Sequence, residues 1–185
     1  MILPIIAYGD PVLKKTGKEI DRDYPGLEKL IADMHDTMYD ANGVGLAAPQ
    51  VNESIRLFII DATPYADEDK ELDGFKKVFI NPIILHEEGR EWDFNEGCLS
   101  IPGIREDIRR KPKVTIEYYD KDFNLKEEVY EGMAARIIQH EYDHIEGVLF
   151  TDRINPLRLR LLNGKLKNIA KGNVDVDYKM KFPLK

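Results

Sequence analysis

Beyond Asp23, Tyr24 and Pro25, apolar residues fall at Leu27, Leu30, Ile31, Met34 and Met38, the three- and four-residue spacing of a helix with one buried face. The pattern predicts a helix over about 25–41, stopped by Ala41, Asn42 and Gly43. Gly43 to Gln50 then reads as a small-residue loop containing Pro49. Arg56 to Asp61, Lys77 to Asn81 and Ile83 to Leu85 are short β-branched and aromatic runs, predicted as separate strands. Between the first two, residues 62–76 hold five acidic residues, a proline and a glycine without periodicity, and predict an exposed loop insertion. Val114, Ile116 and Tyr118 alternate with polar residues; Asp120 to Asn124 turns the chain and Leu125 to Tyr130 returns, as in a β-hairpin. Helical spacing resumes with Met133 and Ile137, continues through His140 and His144, and ends at Gly147. After Asn155 and Pro156, a third amphipathic stretch runs through Leu157, Leu161, Leu162, Leu166 and Ile169. The sum predicts an α+β fold: mixed or antiparallel sheets packed around a central helix, with a C-terminal amphipathic helix outside, in one domain spanning residues 1–185.

Composition narrows the class. With 43% hydrophobic and 33% charged residues in 185, the chain is neither collagen-like nor largely disordered. A net charge of −7 disfavours DNA or other nucleic acid as substrate. The charge is uneven: residues 156–185 carry eight basic and two acidic side chains, a net of +6, against −13 for the rest. The N-terminus lacks a basic region and is broken by Pro4, so no signal peptide is expected, and no apolar run is long enough to span a membrane. One cysteine, Cys98, cannot form an intrachain disulfide; a lone thiol suits a reducing compartment, so the expected location is cytoplasmic.

Residues 140–144 have the form H-E-x-x-H. On a helix, His140 and His144 share a face one turn apart and can converge on one metal ion while Glu141 stands beside it. An ion-free alternative is a histidine pair satisfied within the core, but this pair continues a buried stripe where a charged imidazole without a partner is costly. A catalytic site needs a third ligand, and no His or Cys follows His144. Upstream lies Glu96-Gly97-Cys98-Leu99-Ser100. Alone, Cys98 reads as an inert core thiol; beside H-E-x-x-H its thiolate is a ligand suited to Zn(II) or Fe(II), and Gly97 lets backbone pass close to the metal. The third element is Gly43 to Gln50, where Gly45 and its small neighbours admit a ligand backbone and Gln50 offers an amide N–H to a developing oxyanion. Two readings compete on these residues: an H-E-x-x-H endopeptidase and a metal-stabilised binding module.

Taken in order, G-x-G-x-A-A-P-Q at 43–50, E-G-C-L-S at 96–100 and Q-H-E-x-D-H at 139–144 resemble the three signature motifs of the peptide deformylases, each without a mismatch. The likeness extends from Asp10-Pro11-Val12-Leu13 to Phe150-Thr151-Asp152-Arg153; residues 62–76 exceed the family's expected length and the basic C-terminal stretch is variable. The resemblance implies removal of the formyl group from the N-terminal formylmethionine of newly made polypeptides. It implies Cys98, His140 and His144 as metal ligands, Glu141 as acid/base, and Gln50 with the Leu99 backbone N–H as oxyanion donors. It also implies Fe(II) as the native ion, with Zn(II) or Ni(II) as frequent occupants.

An apolar slot for the methionine side chain is expected from Val44, Phe94, Met133 and Ile137, which flank the motifs or share the helical stripe. Glu96 and Asp143 are expected to orient neighbouring groups rather than ligate. His35 and His86 fit no motif. The +6 segment reads as a solvated helix face or as a patch that docks on ribosomal RNA.

Overall fold

The two faces of the strand Leu57–Asp61 meet two different helices, and this sets the architecture in the computed structural model, which describes residues 1–184. In chain order the elements are β1 (Ile5–Ile6), α1 (Leu27–Asp40), β2 (Gly45–Ala47), β3 (Leu57–Asp61), β4 (Lys76–Glu88), β5 (Trp92–Cys98), β6 (Ile101–Arg110), β7 (Lys113–Tyr119), β8 (Leu125–Glu131), α2 (Gly132–Ile145), α3 (Pro156–Ala170) and β9 (Met180–Lys181). An antiparallel sheet has the order β2-β3-β4-β7-β8. Leu57 and Ile59 pack with Leu27, Met34 and Met38 of α1. Phe58 and Ile60 pack with Ala134, Ala135, Ile137 and Ile138 of α2. Burial from both sides explains why this strand reads as an unbroken apolar run instead of alternating.

The hairpin of β5 and β6 covers another flank of α2 and rests on α3, with Ile101, Ile104 and Ile108 against Leu162, Leu166 and Ile169. α2 is therefore enclosed, and its polar residues Arg136, Gln139, Glu141, Asp143 and His144 are buried with it. This is the expected α+β arrangement about a central helix. Asn155 caps α3 by accepting the Leu157 N–H at 2.9 Å, and Pro156 occupies the first turn, where its missing N–H costs nothing.

Four local expectations are revised and one, the loop at 62–76, is kept. The predicted small-residue loop contains β2 and a 3-10 turn at Ala48–Val51, because Gly45 to Ala47 pair with Ile60 to Phe58 and tertiary pairing outweighs weak local propensity. Runs 77–81 and 83–85 are one strand, β4, with a register shift between Ile80 and Ile83 that accommodates Pro82. Residues 62–76 are the mostly exposed loop expected, with two 3-10 turns and Leu72 buried within it. Leu157 and Leu161 are 69% and 70% exposed, since the i, i+4, i+7 positions Leu162, Leu166 and Ile169 face the core. Finally, the basic stretch, read as helix, also ends in a strand: β9 pairs in parallel with β1, Ile5 opposite Met180 and Ile6 opposite Lys181.

Candidate metal centre

One helical turn brings the His140 and His144 rings to a centroid separation of 5.2 Å. β5 ends at Cys98, where the hairpin register shifts after Gly97 and delivers Sγ to 3.3 Å from His144 Nε2. Donor atoms of Cys98, His140 and His144 all lie within 4.8 Å of one another. Glu96 Oε2 sits 3.0 Å from His140 Nδ1, so that nitrogen carries a hydrogen and Nε2 is the one available to a metal once the ring is neutral.

Glu96 is itself held from three sides. Arg110 reaches it at 2.7 and 3.0 Å and Arg136 at 2.8 Å. Arg110 also donates to Asp143 at 2.8 Å, which accepts twice from Arg153 at 2.6 Å. Burial alone would raise the Glu96 carboxyl; hydrogen bonds from His140 and Arg110 outweigh it and hold Glu96 far below the usual carboxylate range. For His140, burial opposes charging, but Cys98 and Glu96 outweigh that and raise it well above an ordinary imidazole. Burial, reinforced by charged His140, drives His144 well below one. A thiol, two imidazoles and a carboxylate thus create a buried place that favours positive charge, and the soft sulfur-nitrogen donor set fits a divalent transition metal.

The opposite side is built differently. Glu141 is 4% exposed, its Oε2 has no hydrogen-bond partner among the described residues, and burial raises its carboxyl to about 7. β2 runs directly beneath it: a Cβ added at Gly45 would lie 2.4 Å from Glu141 Oε1. Gln50 is buried, with Oε1 accepting the Ala47 N–H at 2.9 Å. That contact fixes the amide's orientation and turns Nε2 toward Cys98 Sγ at 3.6 Å and Ser100 Oγ at 3.1 Å.

These groups open onto a cavity of about 500 Å³. Val44, Gly45, Gln50, Phe94, Gly97, Cys98, Leu99, Ile137, His140 and Glu141 all line it, drawn together from three separated segments. Met133 is not on the wall. It lies two turns before His140, about 10 Å along the axis, and packs into the core under the sheet. Glu96 orients His140 as expected, whereas Asp143 acts one step further back through Arg110. His35 is half-buried on α1 and His86 is exposed on β4.

Tyr65, Arg105, Asp175 and Tyr178 also line the cavity and went unnoticed in the sequence. Tyr178 had a signal: Val174, Val176, Tyr178 and Met180 alternate with charged residues, as a strand with one covered face does. Its hydroxyl donates to the Leu99 carbonyl at 2.7 Å.

Similarity to known proteins agrees with this geometry. The family model for polypeptide deformylases matches residues 2–160. A peptide deformylase of Christiangramia forsetii is 60% identical over 191 residues, covering 99% of this chain and 97% of that one. One from Flavobacterium johnsoniae is 61% identical over 189 residues, covering 98% and 96%. The crystal structure of a peptide deformylase from Legionella pneumophila superposes with a TM-score of 0.81 at 39% identity, covering 94% of this chain and 98% of that one.

Proposed function

The chain belongs to the polypeptide deformylase family, and from that premise we propose residue roles for its reaction. It is a metal-dependent hydrolase that removes the N-formyl group from the N-terminal formylmethionine of newly synthesised polypeptides, releasing formate. The endopeptidase and binding-module alternatives are thereby set aside.

In our reading, Cys98, His140 and His144 hold the metal, and their converging donor atoms carry this assignment. A bound ion would supply Lewis acidity and would make a water acidic enough to give up a proton near neutral pH. Glu141 takes that proton, for which its dry surroundings and raised affinity near 7 suit it, and later returns it to the leaving amine. Negative charge developing on the formyl oxygen meets Gln50 Nε2 and the Leu99 N–H, each contributing about 3 kcal/mol. Ile137, Val44 and Phe94 form the methionine slot, with Gly45 and Gly97 leaving room for substrate backbone; all five line the cavity. We assign Fe(II) as the native ion, with Zn(II) or Ni(II) as alternative occupants, as the family resemblance implies; the sulfur-nitrogen donor set accommodates all three.

Metal analysis alongside a formate-release assay tests the ligand set. Cys98→Ser, His140→Ala and His144→Ala are expected to lose both metal and turnover, and a variant that keeps a full complement of metal would remove its residue from the set. Equal rates and equal stability in air for iron- and zinc-loaded protein would refute the iron preference.

We place the enzyme in the cytoplasm, where Cys98 stays reduced; no described helix is long and apolar enough to cross a membrane. We also assign α3 to ribosome docking, supported by the +6 charge of residues 156–185 and by exposed Leu157, Leu161, Arg160, Lys165 and Lys167 on this helix. Reversing Arg160, Lys165 and Lys167 to Glu in the full chain should abolish salt-sensitive co-pelleting with ribosomes; unchanged pelleting would dismiss the patch.

A further inference from the structure

We propose that Tyr178 is a positioning residue, whose hydroxyl clamps the peptide after Leu99 so that the peptide before it presents the Leu99 N–H to the formyl oxygen. This deepens the oxyanion assignment above and rests on it. The hydroxyl donates to the Leu99 carbonyl at 2.7 Å although Tyr178 stands on the cavity wall. The hydrogen bond is therefore directed at the motif backbone.

The same turn is gripped at neighbouring points. The Tyr8 N–H reaches the Ser100 carbonyl at 2.8 Å, and Gln50 Nε2 reaches Ser100 Oγ at 3.1 Å. Leu99's side chain is confined as well, since a Cβ added at Gly43 would lie 2.8 Å from its Cδ1. Peptide planes are rigid, so the Leu99 N–H can swing only by coupled rotation about the bonds flanking the Cys98–Leu99 plane. Fixing the next plane through its carbonyl removes much of the slack for that rotation. Donors to an oxyanion act through preorganisation, and a loosened donor loses effect steeply with displacement.

Tyr178 can serve as a clamp because its own backbone is anchored. The Ile5 N–H reaches the Lys179 carbonyl and the Ala7 N–H the Lys181 carbonyl, both at 2.9 Å. Val174, Met180 and Phe182 pack on the core shared by α3 and the β5–β6 hairpin. The N-terminal segment thus holds both the clamp, through β1 and β9, and the clamped turn, through Tyr8. Residues far apart in the chain meet at one side of the reaction site.

The test is Tyr178→Phe, which keeps the ring and removes the hydroxyl, measured beside Gln50→Ala. For Tyr178→Phe the expected result is a kcat about tenfold lower with KM and metal content unchanged. The Leu99 amide of the zinc-loaded protein should shift in its 15N–1H spectrum and exchange faster with solvent. Gln50→Ala should lose about 10²–10³ in kcat. If Gln50→Ala is impaired while Tyr178→Phe keeps kcat within twofold and an unmoved Leu99 amide, the clamp is overturned and the oxyanion reading survives. If both variants turn over like the parent, the oxyanion reading fails and the clamp falls with it. A raised KM at constant kcat would make Tyr178 a substrate contact and would also overturn the proposal.

Discussion

On one flank of the donor cluster Glu96, Arg110, Arg136, Asp143 and Arg153 form a continuous chain of buried and half-buried ion pairs. On the other flank, a few ångströms away, Glu141 keeps a carboxylate oxygen with no hydrogen-bond partner among the described residues, above a strand that leaves no room for a side chain. Both flanks remove charge from water, yet only the first pairs its charges with opposite ones, although Arg136 Nε within it has no hydrogen-bond partner among the described residues. Satisfied networks fix geometry, and here the network ends on His140 Nδ1, which it locks in one tautomer. An unsatisfied carboxyl binds its proton more readily and keeps bonding capacity in reserve for a reaction. Within the pair of histidines the contrast recurs, since His144 Nδ1 is buried without a partner among the described residues. The division teaches which residues should matter to folding and which to turnover.

Removing the reserve group should have the largest effect. Glu141→Gln preserves shape and should retain the metal, with kcat lower by about 10³–10⁴. Near-normal formate release from metal-loaded variant would end the acid/base role. On the satisfied flank the expected loss is in stability. Arg110→Met takes one buried partner each from Glu96, which keeps Arg136 and His140, and from Asp143, which keeps Arg153, at a cost of about 1–3 kcal/mol in urea unfolding. Arg109→Met, which breaks only the exposed pair with Asp93, is the control and should leave the unfolding midpoint almost unmoved. Equal midpoints for the two variants would erase the distinction between the flanks.

The same contrast explains what could be read from the chain alone. α2 was legible because periodicity and ligand spacing coincide in Met133, Ile137, His140 and His144, and Cys98 because of its chemistry. The hairpin of β5 and β6 escaped notice because its covered face carries Glu96 and Arg110 among isoleucines, so charge appears where a half-buried strand should be apolar. β2 escaped because Gly45, Leu46 and Ala47 have little strand propensity and owe their conformation to β3. Met133 was misplaced because a helical stripe continues beyond the cavity floor into ordinary core. Tyr178 depends on a contact 79 residues away in the sequence, which no local pattern encodes.

Gly45→Ala probes the boundary between the flanks, because it adds one methyl group without altering charge. That methyl would press on Glu141 Oε1 from 2.4 Å, so the carboxyl must move or β2 must. A displaced acid/base should lower kcat about 100-fold with metal content retained. If β2 yields instead, activity will survive and the tight approach has no catalytic meaning.

Acid titration gives the smallest effect and separates the flanks by sign. Glu96 binds protons less readily when folded than when unfolded, so it adds stability above the unfolded value near 4.3, lost as pH falls below that. Glu141 is shifted upward and behaves oppositely: its burial costs nothing below the unfolded value near 4.3, and the cost accumulates as pH rises from there to about 7, above which the folded carboxyl is ionised too and the loss levels off. In metal-free protein, these two carboxyls should therefore make the urea midpoint decline on the acid side of pH 4 and again from about pH 4.5 to about 7, where the loss levels off. Each group contributes at most about 1.4 kcal/mol per pH unit. Glu141→Gln should lessen only the decline above about pH 4.5 and Glu96→Gln should flatten only the acid one. A single variant that abolished both slopes would mean that the two carboxyls titrate as one unit, and that the flanks are not independent.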